Sequence, residues 1–210
     1  MLNLITCNKS NYEKKLFSYV NNVSMNNKKR SEIVSNIIKQ IKKNKNTALI
    51  KYSNELEHNN FKNSKSLKVT PKEISNAISQ CSQAFHDSIK LAVRRIMSYQ
   101  KKLMPKNLYY KDELGIKLGS IWSPLESCGL YVPGGKALYP SSVLMNAIPA
   151  IVAGVKRIVI TTPANNNLLS PEILVAANAL GISEIYKVGG AQAIAALTFG
   201  TETIKRVDKI

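Results

Sequence analysis

The stretch SCGLYVPGGKALYPSS, residues 127–142, carries a short apolar run into Pro-Gly-Gly and then into a helical pattern. Residues 128–132 are typical of a buried strand, and residues 139–155 predict a helix. The same order recurs with strands at 156–162 and 184–188 and helices at 171–180 and 191–199. This spacing is what βαβ units require, so the sequence predicts an α/β fold with a Rossmann-like, mostly parallel, doubly wound sheet.

Two of the three predicted strands are followed by a glycine pair, Gly134–Gly135 and Gly189–Gly190. The carboxyl ends of parallel strands share one edge of a sheet, so both pairs should lie at that edge. Each pair could serve a turn with positive φ, or it could let a phosphate-bearing ligand approach a helix N-terminus. Neither pair belongs to a G-x-G-x-x-G motif, so the sequence alone predicts a nucleotide-type crevice and leaves the two roles open.

The first half of the chain predicts helices. Ser31 is the expected N-cap of an amphipathic helix whose apolar positions run from Ile33 to Ile41, and TALIKYSNEL, residues 47–56, predicts a second helix. Thr70 and Glu73 form a capping-box pattern that opens a third helix, expected to continue to Pro105. Residues 112–127 predict a hairpin or two extended strands around Gly115 and Gly119.

These patterns divide the chain into a basic helical segment, residues 1–106, and a Rossmann-like region, residues 107–210. The net charge of +17 is concentrated early, since residues 1–112 hold 22 Lys and Arg against 7 Asp and Glu. A basic helical protein that binds nucleic acid is therefore the alternative function. Lysine accompanies asparagine in runs such as NNKKR, which favours a solvated surface without specific nucleic-acid binding.

Composition and cysteine spacing indicate the location of the protein and the state of its thiols. The first ten residues lack the pattern of a signal peptide, and the most apolar stretch, residues 137–155, is interrupted by prolines, so we expect a cytoplasmic protein without a membrane span. Cys7, Cys81 and Cys128 are widely spaced and contain no C-x-x-C pair. Reduced thiols are therefore expected, not a disulfide framework or a zinc knuckle.

The segments CGLYVPGGKALYPSSVLMNAIPAIVAG (128–154) and VGGAQAIAALTFGTETIKRVDKI (188–210) closely resemble the histidinol dehydrogenase family. The similarity extends to KNTALIKYS (45–53) and to LKVTPKEI (67–74). The resemblance implies a zinc-dependent enzyme, a homodimer when full length, that oxidises L-histidinol to L-histidine in two NAD-dependent steps.

The resemblance also implies roles for individual residues. The tyrosine of the G-L-Y-[IV]-P-G-G motif and the glutamine of V-G-G-A-Q-A contact NAD in the family, and they correspond to Tyr131 and Gln192. With Gly134, Gly135, Gly189 and Gly190 they form the predicted cofactor-binding set.

In the family, the zinc ligands and the Glu-His pair that moves protons follow a later F-G-P-G-N motif. They are therefore expected beyond Ile210, and no catalytic or metal-binding residue is assigned within this chain. His58 and His86 match no family ligand and are expected on the surface or at an interface of the helical half.

Overall fold

The computed structural model describes Thr6, Asn8 and residues 10–134 and 139–210, without the side chains of residues 19–27. The helices are α1 Tyr12–Glu57, α2 Pro71–Gln80, α3 Gln83–Leu103, α4 Pro140–Ala153, α5 Pro171–Ala179 and α6 Gly190–Phe199, with a 3-10 turn at Ser64–Leu67. The strands are β1 Leu108–Lys111, β2 Lys117–Ser120, β3 Ser127–Tyr131, β4 Arg157–Thr162 and β5 Ile185–Lys187.

Strands β3, β4 and β5 form a parallel sheet in that order, which confirms the predicted α/β sheet. Helices cover both faces. One core joins α1 and α6 to the sheet, and the other joins α2, α3, α4 and α5 to the opposite face. Val159 and Ile160 are neighbours on β4 but belong to different cores, because successive side chains of a strand point to opposite faces. Burial on both faces explains why residues 158–160 are consecutively apolar and do not alternate with polar residues.

The chain reverses its direction of winding after β5. Helix α6 packs against α1 on the other face and reaches β3, and the segment after α6 then runs along the outer edge of β3. There Gly129 N–H donates to Lys209 O over 2.8 Å, and Asp208 accepts from the backbone and the hydroxyl of Ser127. The sheet is therefore doubly wound about β3, as the sequence predicts.

Helix α1 differs from the prediction. It already begins at Tyr12, so Ser31 lies inside the helix and is not an N-cap. No glycine or proline interrupts residues 12–57, so nothing in the sequence breaks the helix before Ser31. Only part of the predicted apolar line is buried, since Ile33 is 62% exposed whereas Ile37 and Ile41 belong to the core.

The predicted second helix is the part of α1 that follows a break at Lys45, where φ is 45°. Asn46 begins this part and is held by a distant loop. Its N–H donates to the Glu202 carboxylate over 3.2 Å, and its Nδ2 donates to Thr203 Oγ1 over 2.8 Å. A tertiary contact that is remote in sequence therefore stabilises the break.

The predicted capping box is present: Thr70 Oγ1 accepts from Glu73 N–H, and the Glu73 carboxylate accepts from Thr70 N–H over 2.8 Å. The predicted long helix, however, divides into α2 and α3 at Cys81–Ser82. Ser82 provides a new N-cap by accepting from Phe85 N–H over 3.2 Å. The apolar spacing continues through the break, which is why periodicity alone did not show it.

Strands β1 and β2 form an antiparallel hairpin, but only β2 lies within the predicted stretch 112–127, because all of β1 precedes it. Asp112 Oδ1 accepts from the N–H groups of Leu114 and Ile116, and Gly115 adopts a φ of 81° in the turn. Both strands are exposed along their length.

Glu73 also ties α2 to the sheet. Its Oε1 lies 2.8 Å from Nζ of Lys187, a β5 residue that is only 6% exposed. Burial alone raises the pKa of Glu73, but hydrogen bonds from Lys187 and Thr70 outweigh it and hold the pKa below 4.5. The ionised pair is therefore the favoured state at neutral pH.

We expect Glu73→Gln to lower the free energy of unfolding by about 3 kcal/mol at neutral pH, because Lys187 is left buried without its counter-charge. The folded-state pKa of Glu73 is depressed, so its stabilisation is present above pH 4.5 and is lost as the pH falls through the folded-state pKa. Urea unfolding across this range should show the variant and the wild type converging in acid. Glu55→Gln, which removes an exposed partner of Lys51, is the control. A constant difference at every pH would contradict the assignment.

Candidate functional site

The loops that follow β3, β4 and β5 meet at the carboxyl edge of the sheet. Tyr131 ends β3, Thr162 ends β4, and Lys187 ends β5. In open parallel sheets ligands bind at this edge, at the switch point where the chain reverses its direction of winding. Here the chain reverses after β5 and returns beside β3, so the switch point lies at β3. The described members of the predicted cofactor-binding set lie on these loops or beside them.

Pro163, the first residue after β4, lies between two of the predicted glycines. A Cβ atom at Gly134 would be 2.5 Å from Pro163 Cγ, and a Cβ atom at Gly189 would be 2.5 Å from Pro163 Cβ. Neither distance is possible for a real side chain without a shift of the backbone. The first glycine of each pair is thus required by the packing of the three loops around Pro163. Gly135 lies outside the described residues.

Glycine is required at position 190 for a different reason. It begins α6 with a φ of 59°, in the left-handed region that glycine adopts without strain. Its N–H donates to the Tyr131 hydroxyl over 3.2 Å. Tyr131 is half-buried against the α1–α6 core, so this hydrogen bond links the end of β3 to the start of α6.

The carboxylate of Glu57, the last residue of α1, reaches the same place. Its Oε1 accepts from Gly189 N–H and from Gln192 Nε2, both over 2.7 Å, and its Oε2 accepts from Asn59 Nδ2 over 3.3 Å. Burial raises the pKa of Glu57 above 4.5 despite hydrogen bonds from Gly189, Gln192 and Ala164 that lower it. Glu57 thus joins Gln192 and Gly189 into one polar cluster.

Gln192 lies in the first turn of α6 but is only 1% exposed. Its Nε2 is occupied by Glu57, whereas its Oε1 is buried and has no hydrogen-bond partner within the part of the chain that the structure describes. An unsatisfied buried acceptor costs about 1–3 kcal/mol. This amide oxygen is suited to accept from a bound donor.

A separate cleft lies on the α5 side of Pro163. Its lining includes Gly134, Tyr139, Thr162, Pro163, Asn165 and Ser170. Gly134 therefore borders this cleft, whereas Gly190 bonds Tyr131, and Gln192 bonds Glu57, on the α6 side. The described residues of the predicted cofactor-binding set thus all lie at the carboxyl edge of the sheet, but some face the α5 side of Pro163 and others the α6 side.

Zinc does not fit the described residues. Among them no group of three or more His, Cys, Asp or Glu could hold a metal ion. His58 is exposed at the end of α1, and half-buried His86 lies 3.0 Å from the Ile78 carbonyl through Nε2. Burial raises the pKa values of the Cys81 and Cys128 thiols, which disfavours the thiolate that a metal requires.

Within the described residues, no helix has both the length and the apolar character needed to cross a membrane.

Sequence reasoning missed Glu57. It lies 132 positions before Gly189, and nothing in its local pattern indicates a contact with α6. The one available signal was its rarity, since it is one of 7 acidic residues in the basic first 112 positions.

Comparisons with known proteins agree on one family. The sequence profile described as Histidinol dehydrogenase matches residues 20–210. A histidinol dehydrogenase of Agrobacterium fabrum is 53% identical over 145 residues, which are 69% of this chain and 34% of that protein. One from Brucella abortus is 54% identical over 144 residues, with the same shares. The crystal structure of histidinol dehydrogenase from Elizabethkingia anophelis superposes with a TM-score of 0.81 at 36% identity, covering 86% of this chain and 41% of that one. The match spans well under half the length of these relatives.

The packing around Pro163 predicts that alanine variants of Gly134 and Gly189 respond differently to a change at Pro163. Gly134→Ala and Gly189→Ala should each lower the free energy of unfolding by about 1–3 kcal/mol through overpacking. Adding Pro163→Ala removes Cγ and Cδ, so it should rescue Gly134→Ala. It should not rescue Gly189→Ala, which still meets the Cβ atom of residue 163. Double-mutant cycles by denaturant unfolding measure the two couplings. Equal rescue of both variants would show that the loops are not packed as described.

Proposed function

Because this chain belongs to the histidinol dehydrogenase family, we propose that it supplies the scaffold and part of the NAD site of an enzyme that oxidises L-histidinol to L-histidine in histidine biosynthesis. The observation that carries the proposal is the Gln192 amide. Glu57 holds it in the first turn of α6, the helix whose first residue, Gly190, binds the Tyr131 hydroxyl, and its acceptor oxygen lacks a partner among the described residues. The family likeness also supports L-histidinol as the substrate, zinc as a cofactor of the whole enzyme, and a cytoplasmic homodimer.

The described residues fit NAD better than they fit zinc. Gln192 Oε1 is an acceptor for a hydroxyl or an amide N–H, and both groups occur in NAD. Tyr131 presents an aromatic ring and a hydroxyl at the end of β3, and such a side chain can pack on a sugar or a ring and still form hydrogen bonds. When bound, NAD would supply the hydride acceptor.

The role of this chain in such a reaction is binding and orientation. The hydrogen bond between Gly190 N–H and Tyr131 Oη fixes the phenol, and Glu57 fixes the Gln192 amide, so both groups are oriented before a ligand arrives. No proton-transfer step is derived from the described residues, because the hydrogen bonds at this edge join Glu57, Gln192, Gly189, Gly190 and Tyr131 and include neither histidine.

We expect the purified chain of residues 1–210 to bind no stoichiometric zinc after dialysis and to form no NADH from L-histidinol. Catalytic zinc needs about three protein ligands around an open position, and the described residues offer no such group. Metal analysis after a mild chelator and absorbance at the NADH band test both points. Stoichiometric zinc or turnover above a no-enzyme control would show that the active site is wrongly placed.

NAD binding to the same chain tests the cofactor residues. Tyr131→Phe should weaken NAD about three- to tenfold, because it removes one hydroxyl and leaves Gly190 N–H without its acceptor. Saturation-transfer NMR with NAD measures the affinity. Tyr186→Phe is the matched control: its hydroxyl donates to Thr203 O over 2.9 Å at a different place, so its loss should change stability and not NAD affinity. A wild-type chain that does not bind millimolar NAD, or equal effects of the two variants, would contradict the proposed function.

A further inference from the structure

The N-terminus of α6 is already occupied by groups of the protein itself. The N–H of Gly189, the residue that precedes α6, donates to Glu57 Oε1 over 2.7 Å, and the N–H of Gly190, its first residue, donates to Tyr131 Oη over 3.2 Å. A helix N-terminus favours an anion, and here the anion is the Glu57 carboxylate. A phosphate at this position would have to displace that carboxylate or accept its repulsion.

We infer that Glu57 is a positioning residue of the cofactor site: it fills the N-terminus of α6 in place of a phosphate and orients Gln192 toward an uncharged hydrogen-bond donor of the ligand. The inference rests on the proposed function for the identity of the ligand. The inference also gives the Gly189–Gly190 pair a different role. The N–H of Gly189 then donates to a carboxylate of the protein and not to the pyrophosphate of NAD.

The orientation of Gln192 follows from the chemistry of Glu57. An ionised carboxylate only accepts hydrogen bonds, so the Gln192 amide must turn its NH₂ group toward Glu57. Its Oε1 is thereby directed away from Glu57, and it is buried without a partner among the described residues. Since an oxygen acceptor cannot bind a phosphate oxygen, the ligand group that it takes is a hydroxyl or an amide N–H.

Gly190 leaves room for the Gln192 amide in this orientation. A Cβ atom at residue 190 would lie 2.6 Å from Gln192 Oε1, so a side chain there would displace the amide. The left-handed φ of 59° and this contact both exclude a larger residue. Gly190 is thus required for the same amide orientation that Glu57 imposes.

The first experiment uses inorganic phosphate as the probe and does not depend on NAD. Backbone amide signals of Gly189 and Gly190 in the wild-type chain should not respond saturably to phosphate, because Glu57 occupies the helix end. Glu57→Ala should gain a saturable response at both amides, and added formate should compete with it. Glu55→Ala, an exposed carboxylate on the same helix, is the control and should behave as wild type. A saturable response in the wild type, or none in Glu57→Ala, would overturn the role at the helix end.

The second experiment tests positioning by NAD affinity. Glu57→Ala should weaken NAD about tenfold although it gains phosphate, whereas Glu57→Gln retains an acceptor oxygen and should stay within about threefold of the wild type. Unchanged affinity in Glu57→Ala would overturn the positioning role. If NAD binds to no form of the chain while the phosphate results are as expected, the proposed function fails and the helix-end role of Glu57 stands.

A third measurement needs no destabilising variant. The partners of Glu57 are Asn59, Ala164, Gly189 and Gln192, and none of these groups titrates. The side-chain amide signal of Gln192 should therefore shift as Glu57 is protonated, with a midpoint above pH 4.5, and Glu57→Gln should abolish this shift. A Gln192 signal that does not change between pH 4 and pH 7 would show that Glu57 does not hold the amide.

Discussion

Three loops can meet at the carboxyl edge of this sheet only because two of them have no side chain where they contact Pro163. The missing Cβ atoms of Gly134 and Gly189 would each lie 2.5 Å from the proline ring, well inside van der Waals contact. Pro163 follows directly from β4, the central strand, so its position is fixed by a strand buried on both faces. The close approach of the loops then brings the end of β3 and the start of α6 within one hydrogen bond of each other.

The stability of this arrangement depends on few charges, although the chain carries many. Most of the 30 Lys and Arg residues form a solvated surface, and exposed pairs such as Lys51–Glu55 contribute at most about 1 kcal/mol. The two acids that connect helices to the sheet edge are Glu57 and Glu73, both from the basic half. Burial outweighs the hydrogen bonds at Glu57 and raises its pKa, whereas bonds from Lys187 and Thr70 outweigh burial at Glu73 and lower its pKa. Net charge thus describes the surface and says little about which charges hold the fold.

The sequence predicted those features that are local or periodic. The three parallel strands and the capping box at Thr70 and Glu73 follow from patterns within about ten residues and are confirmed, whereas the hairpin begins earlier than its predicted stretch. The beginning of α1 and the division between α2 and α3 were predicted wrongly, since helix propensity sets no start at Ser31 and periodicity continues across Ser82. Glu57 could not be predicted from its neighbours, because its partners lie on an element more than 130 positions later. The cofactor roles of Tyr131 and Gln192 stay predictions, which the resemblance supplied and the geometry supports.

The topology favours the α6 side of Pro163 over the α5 side as the place for a ligand. In a doubly wound sheet, a crevice forms between two adjacent strands whose following helices pack on opposite faces of the sheet. The two loops that lead to these helices diverge there and leave space for a ligand. In this chain α4 and α5 cover one face, α6 crosses to the other, and the segment at Lys209 then runs beside β3. Tyr131 ends the strand at which this divergence occurs, whereas the cleft near Asn165 lies between elements wound in the same direction. A ligand at the switch point would therefore meet Tyr131, and the cleft beside Asn165 is more simply explained as a gap between the loops that follow β3 and β4.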